Sequence, residues 1–391
     1  LGISVRNRLE KVWINAKGNG GKLTPLGAFQ HRRIAKRMFQ NFPEIFTRDA
    51  VVSARSSTVG RCISSMMAFT GELEHLNPKL KVICKSNKEF MAYLAYTSPE
   101  EKALEAHTKP VPVVSIKRLM KALFKNPDKV TDQYKLMSEL YAIDADMQDV
   151  GLKINFDDVF TEKEYLSMYD SNNQRMRICN GNVVQNKGFA ARCAIPLWQN
   201  IVQSADSAID AGKPSASLRF GHDTSLYRLF SFLQMSLSGG MDNIIPMAAN
   251  LQMVFYKPDT CQNGHKKISS KEVLVKFMHN EVEATVPVRT TMWPYYRWAD
   301  VKAYYVKRIE RLGHLRQLNA VNTMVGTAMA NTRSVGLFGK GSEEHGQTLP
   351  AVLAPNGQDF WTPQTQDTEQ KCIAPYYYKD SLFQGIRDSH W

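Results

Sequence analysis

Arg55 follows the β-branched run Ala50-Val51-Val52-Ser53-Ala54 and precedes a helical stretch from about Ser57 to Thr70. His222 and Asp223 follow a second run, Ser215-Ala216-Ser217-Leu218-Arg219-Phe220, through a Gly221 turn and ahead of a helix reaching about Gln234. In open α/β sheets ligands bind beyond the carboxyl ends of the strands, where helix N-termini turn backbone N–H groups toward anions. A guanidinium and an imidazole at two such ends suit a phosphoryl group. The adjoining carboxyl suits proton donation to a departing alkoxide, which is a poor leaving group unless protonated. Taken singly these residues are ordinary: a lone Arg after a strand is usually solvated or ion-paired, and a His-Asp dipeptide arises by chance.

The elements that must position them follow from periodicity and breakers. Residues 5–17 read as a helix stopped by Gly18-Asn19-Gly20-Gly21. Thr24 caps a second helix, with Pro25 in its first turn, that runs to about Phe42 on Leu26, Phe29, Ile34, Met38 and Phe42. The strand and helix around Arg55 form the strand–loop–helix unit from which parallel sheets are built. From 85 to 212 the pattern is mainly helical, in segments 88–96, 115–125, 131–150, 161–170 and 188–211, the last returning to the core. Strands are expected at 249–257 and 271–279 with a polar turn at 259–270, and a helix at 298–312 ending on Gly313.

The predicted organisation is therefore α/β. Residues 1–84 form a core with a mostly parallel sheet flanked by helices, 85–212 an inserted helical cap, and 213–317 the second part of the core. Segment 318–391, rich in Gly, Pro, Thr, Gln and Asn, is expected to be an incomplete all-β domain.

Composition narrows the chemistry. The 391 residues are 43% hydrophobic and carry a formal net charge of +13, an ordinary globular mixture with an excess that draws anions toward any concave site. No Arg-rich stripe with interleaved aromatics occurs, which argues against nucleic acid as partner and leaves a phosphorylated small molecule. No apolar run is long enough to span a bilayer. The six cysteines, at 62, 84, 179, 193, 261 and 372, include no C-x-x-C, which argues against a zinc or redox site. Cys62/Cys84 and Cys179/Cys193 are spaced to close short loops, and spacing alone leaves pairing and oligomeric state open.

Three segments carry a family resemblance. Leu23-Thr24-Pro25-Leu26-Gly27 with Gln30-His31, Val52-Ser53-Ala54-Arg55-Ser56-Ser57-Thr58-Val59-Gly60-Arg61-Cys62, and Leu218-Arg219-Phe220-Gly221-His222-Asp223-Thr224 closely resemble, in order, segments of the histidine acid phosphatases, a family that includes phytases and inositol-polyphosphate phosphatases. The resemblance covers residues 1–312. It implies a metal-free, two-step displacement. A His in an R-H-G-x-R-x-P motif attacks phosphorus, Arg55 and His222 hold the phosphate, Asp223 protonates the leaving oxygen, and water releases the phosphohistidine. It also implies a bacterial, periplasmic or secreted setting, and the His-Asp pairing leans toward phytate or sugar phosphates as substrate.

No R-H-G-x-R-x-P occurs in this sequence, and in family order it would precede Leu23. Arg6 and Arg8 lack the adjoining His and Gly, and His31 is expected on a helix surface. With an amphipathic basic start and no initiator Met, the chain is expected to begin inside a larger protein, to hold part of a phosphate pocket, and to turn over little or nothing. A non-catalytic anion-binding module is the alternative reading.

Val321-Asn322-Thr323-Met324-Val325-Gly326-Thr327 and Gly346-Gln347-Thr348-Leu349-Pro350 resemble the opening of a bacterial family of calcium-dependent α-mannosidases. Calcium is expected only for a complete domain of that kind. Adjacency of the two segments raises a bifunctional enzyme acting on phosphorylated mannans.

Overall fold

A computed structural model describes residues 2–16, 18–47, 50–108, 115–147, 154–183, 186, 188–236, 245–257 and 272–313. Helices α1 (Ile3–Ala16) and α2 (Pro25–Asn41) lead into strand β1 (Val51–Ser56), helix α3 (Gly60–Leu76) and strand β2 (Lys81–Ser86). A helical stretch follows: α4 (Met91–Leu94), α5 (Pro99–His107), α6 (Lys117–Leu123), α7 (Gln133–Met147), α8 (Glu162–Asn180), α9 (Phe189–Cys193) and α10 (Ile195–Ala211). Then come β3 (Ser215–Phe220), α11 (Asp223–Leu233), β4 (Leu251–Tyr256), β5 (Leu274–His279), β6 (Val282–Glu283), β7 (Tyr295–Arg297) and α12 (Trp298–Arg311).

The expected α/β class holds. One sheet is parallel, in the order β2-β1-β3, with Ser56 opposite both Ser86 and Phe220 at its carboxyl end. The strands at 251–256 and 274–279 do not extend it. They pair antiparallel with each other, and β6 and β7 join them on β5 in a second sheet. Strand β2 was not foreseen, because Lys81, Lys85 and Ser86 dilute its apolar alternation.

Local chemistry accounts for the helix bounds. Thr24 accepts from the Gly27 amide at 3.1 Å, and Pro25 opens α2 where no amide is needed. Thr161 and Glu164 form a reciprocal capping box at the start of α8. Gly212 and Gly313, both at positive φ, follow the ends of α10 and α12.

Three apolar clusters hold the elements. Ile34, Phe46, Val52, Phe69 and Leu73 pack α2 and α3 onto one face of the parallel sheet, and Val254 and Met278 of the second sheet join them. Trp198, Phe232, Phe277, Trp298 and Tyr305 bring together α10, α11, α12 and β5. Leu119, Met137, Phe156, Tyr165 and Met168 form a separate core among α6, α7 and α8. Val5 and Val12 of α1 sit in this last cluster, so the first helix rests on the inserted helices, and Arg8 seals it by pairing with Asp158 at 2.5 Å.

Cys62, Cys84, Cys179 and Cys193 are free thiols, so the two loop-closing pairings that spacing allowed do not form. Cys62 donates instead to the Gly221 carbonyl at 3.1 Å and Cys84 to Thr70 Oγ1 at 3.4 Å. Among the described residues no helix is long and apolar enough to cross a membrane. The expected turn at 259–270 and the mannosidase-like segment 318–391 lie outside the described residues.

Candidate active site

The parallel sheet ends in two helix starts set side by side. Strand β1 runs through a short loop into α3, and the neighbouring β3 runs through Gly221 and His222 into α11. Neither helix start is closed by a side chain of its N-cap residue, Val59 in one case and His222 in the other. Their first-turn amides, with the positive ends of two helix dipoles, therefore face the same edge.

The loop between β1 and α3 is locked to that edge. The Ser57 amide donates to the Phe220 carbonyl at 3.0 Å, and the Ser57 carbonyl accepts from Ser56 Oγ at 2.8 Å and Ser86 Oγ at 3.0 Å. All three strand ends thus meet on one fully buried residue, Ser57. Its hydroxyl lies 3.4 Å from His222 Nε2, a long contact that orients the ring without filling its hydrogen-bonding capacity. Cys62 grips the other side of the turn through the Gly221 carbonyl. Gly221 lies close to its neighbours: a Cβ there would stand 3.3 Å from the Leu94 carbonyl oxygen, tighter than ordinary contact.

His222 is half-buried. Its pKa lies below the ordinary imidazole value, first because burial penalises the cation, then because the Arg61 guanidinium opposes it, with Asp223 acting the other way. Arg61 and Asp223 also act on the Cys62 thiol, whose pKa burial raises. His222, Asp223 and Arg61 therefore share one electrostatic neighbourhood, with Arg61 exposed at the first turn of α3. Asp223 Oδ1 accepts from the Thr224 amide at 2.8 Å, which fixes one carboxyl oxygen.

Arg55 keeps different company. The strand expected to end at Ala54 continues to Ser56, so Arg55 is not a loop residue but the fifth residue of β1, cross-strand from Arg219. Strand alternation sends its side chain where Arg219 goes, and Arg219 bonds to Asn200 and Ser204 of α10 at 2.8 and 2.7 Å. The loop itself is residues 57–59, and α3 begins at Gly60 rather than near Ser57, which puts Arg61 in the first turn of that helix, close enough to act electrostatically on His222. An Arg in the first turn of a helix that follows a strand is a second sequence signal for an anion-facing guanidinium, set beside the first-turn amides.

His31, expected on a helix surface, instead packs edge-on against Phe220 with ring centroids 6.1 Å apart. Burial lowers its pKa to about 4. It is a neutral ring wedged between α2 and β3.

Residues 4–280 match the model of the histidine phosphatase superfamily, branch 2. Among solved structures, the Bifidobacterium longum multiple inositol polyphosphate phosphatase is similar in two forms, each at 14% identity. Its complex with inositol hexasulfate superposes with a TM-score of 0.56 over 73% of this chain and 79% of that one. Its apo form gives 0.57 over 78% and 84%. The phytase from D. castellii gives 0.48 at 14% identity, over 72% of this chain and 63% of that one. No curated protein matches. At such identities the likeness speaks to the fold, which is the one built above from its elements.

Proposed function

The chain belongs to the histidine phosphatase superfamily, branch 2, and on that premise we propose that the edge formed by Arg61, His222 and Asp223 binds the phosphoryl group of a phosphomonoester and protonates its leaving oxygen. The observation that carries this reading is the pairing of two helix starts on adjacent strands, neither closed by its N-cap side chain, with an exposed guanidinium on one and an imidazole–carboxyl pair on the other. Nonbridging oxygens would take the free amides and Arg61, whose fixed positive charge favours the charge spread over those oxygens in the transition state. His222, neutral at pH 7 because its pKa is depressed, donates one hydrogen bond and orients on Ser57. Asp223 gives its proton to the bridging oxygen as the P–O bond breaks, so that the alcohol departs neutral.

The nucleophile of the family's covalent step is a His in R-H-G-x-R-x-P, and these 391 residues contain no such motif. We read the chain as supplying the binding and leaving-group half of the site, so that phosphohistidine formation requires a nucleophile it does not itself present. Inositol phosphates are the favoured substrate class: the net charge of +13 suits a polyanion, and the similar Bifidobacterium longum structure is named a multiple inositol polyphosphate phosphatase. A periplasmic or secreted setting goes with that reading.

Calorimetric titration with inorganic phosphate tests it. Wild type binds, and His222→Ala and Arg61→Gln each weaken binding about 10- to 100-fold, the worth of a charge-assisted hydrogen bond. Binding unchanged in both variants would remove the pocket. Phosphate release from p-nitrophenyl phosphate by the chain alone, lost in Asp223→Asn, would keep the pocket and show that another residue supplies the nucleophile.

A further inference from the structure

Ser57 is fixed by its backbone and aimed by its side chain. Its amide donates to the Phe220 carbonyl at 3.0 Å, and its carbonyl accepts from Ser56 Oγ and Ser86 Oγ, so the position of its Cβ is set from three directions. The residue is fully buried, and its Oγ lies 3.4 Å from His222 Nε2, at the long end of hydrogen bonding. The Cys62 thiol is within reach of the same hydroxyl, which acts on the thiol's acidity. A hydroxyl has one proton to give and two lone pairs to offer. Shut away from water, this one has two neighbours to which the proton can go.

Acceptor strength decides between them. Cys62 spends its S–H on the Gly221 carbonyl at 3.1 Å, so toward Ser57 its sulfur offers only weak lone pairs. The bare nitrogen of a neutral imidazole is the stronger acceptor. Burial and the Arg61 charge keep the His222 ring neutral at pH 7 and above. A neutral ring carries one proton, and the hydrogen bond made at one nitrogen settles which of the two holds it. A bare Nε2 facing Ser57 therefore leaves the proton on Nδ1. Among the described residues His222 makes no other side-chain hydrogen bond, so Nδ1 is the nitrogen left for a ligand.

We propose that Ser57 is a positioning residue for phosphate binding: its hydroxyl donates to His222 Nε2, holds the ring in the Nδ1–H tautomer, and so turns a donor rather than a lone pair toward a phosphoryl oxygen. The proposal rests on the reading of His222 as a phosphate-binding residue. The opposite arrangement runs from Nε2–H to Ser57 Oγ and from the Ser57 O–H to Cys62 Sγ. It would set a bare Nδ1 against an anionic oxygen, and the ring could then hold phosphate only by taking up a second proton, which its burial and Arg61 oppose.

Nitrogen-15 spectra of the full chain with labelled histidine, taken at pH 8, read the tautomer, because protonated and bare ring nitrogens resonate far apart. His222→Ala identifies the His222 signals among the nine histidines. Wild type is expected to show a protonated Nδ1 and a bare Nε2. Ser57→Ala keeps every backbone bond of residue 57. It is expected to let the Nε2–H form appear and to weaken the binding of inorganic phosphate about 3- to 10-fold, the worth of one neutral hydrogen bond. The wild-type spectrum depends on no variant folding, and a protonated Nε2 there overturns the proposal. So does a Ser57→Ala chain that keeps the wild-type tautomer, whether or not its melting temperature changes. In either case a His222→Ala chain that binds phosphate more weakly than wild type leaves the proposed function standing without Ser57. Phosphate bound as tightly by His222→Ala as by wild type would instead sink the proposed function and this proposal together, whichever tautomer the spectra show.

Discussion

Helix α11 carries charge at both ends of a contrast. At its start His222 and Asp223 lie at a half-wet edge with Arg61, where ring, carboxyl and guanidinium make few bonds to the protein. One and a half turns on, Arg228 is almost fully buried, and every side of its guanidinium is engaged. It pairs with the buried Glu101 at 2.5 Å and with Glu105 at 3.3 Å, and it donates to Asn180 Oδ1, the Tyr96 carbonyl and Thr97 Oγ1. That single side chain ties α11 to α5, to α8 and to the 96–97 turn. The charge inside the fold is buried and paired, whereas the charges at the edge are more open and lightly held, as the proposed phosphate site requires.

The contrast can be broken most severely at Arg228. Arg228→Ala should strand Glu101 as an unpaired buried carboxylate, at a cost of about 3–5 kcal/mol, seen as a lower urea midpoint or as failure to accumulate folded protein. Replacing Arg228 by Met and Glu101 by Leu together should restore much of the loss, since the penalty belongs to the orphaned charge more than to the lost attraction. A double variant no more stable than the single one would show that the hydrogen bonds to Tyr96, Thr97 and Asn180 matter more than the pairing.

His279 sharpens the comparison from the other side, as a buried titratable group whose Nε2 is left unbonded. It packs edge-on against Phe230, its Nε2 makes no hydrogen bond, and burial lowers its pKa to about 4. The unfolded chain, with an imidazole pKa near 6.5, then binds the proton more readily than the folded one. Stability therefore falls as pH drops from about 6.5 toward 4, by up to about 3 kcal/mol from this residue. His279→Phe should flatten that limb of an unfolding-versus-pH curve while leaving stability at pH 8 nearly unchanged or raised. His31, also held at about 4, adds to the same limb and should leave a residual slope in the variant.

At the site edge the expected effect is smaller. Cys62→Ala deletes the Sγ–H bond to the Gly221 carbonyl and should cost about 1 kcal/mol or less in stability, while loosening phosphate binding at His222 several-fold. Smallest of all is Arg6→Ala, which removes an exposed i,i+4 pair with Glu10 and should move the unfolding midpoint within error.

Much of the framework was legible because its signals are local. The run at 215–220, the Pro25 start of α2 and the Gly313 stop of α12 are each written in neighbouring residues. The second sheet was less so, since 251–256 and 274–279 read correctly as strands but nothing local says that they pair away from the parallel sheet. Strand β2 is stabilised by lying alongside β1, a non-local pairing that outweighs the poor strand character of Lys81 and Lys85. The site shows the same divide. His222 and Asp223 sit where a strand, a glycine and a helix adjoin in sequence. Arg55 and Arg61 are separated by whether β1 stops at 54 or 56, a two-residue difference that strand pairing decides and that alternation turns into opposite surroundings.

The four described thiols carry one further consequence. None is bridged, and burial pushes each above the ordinary thiol range, Cys193 up to about 12 beside the Glu101 carboxyl. Thiolate is the attacking species in oxidation and disulfide exchange, so these groups react slowly at neutral pH. Among the described residues, then, the folded state is held by packing and hydrogen bonds and not by sulfur cross-links.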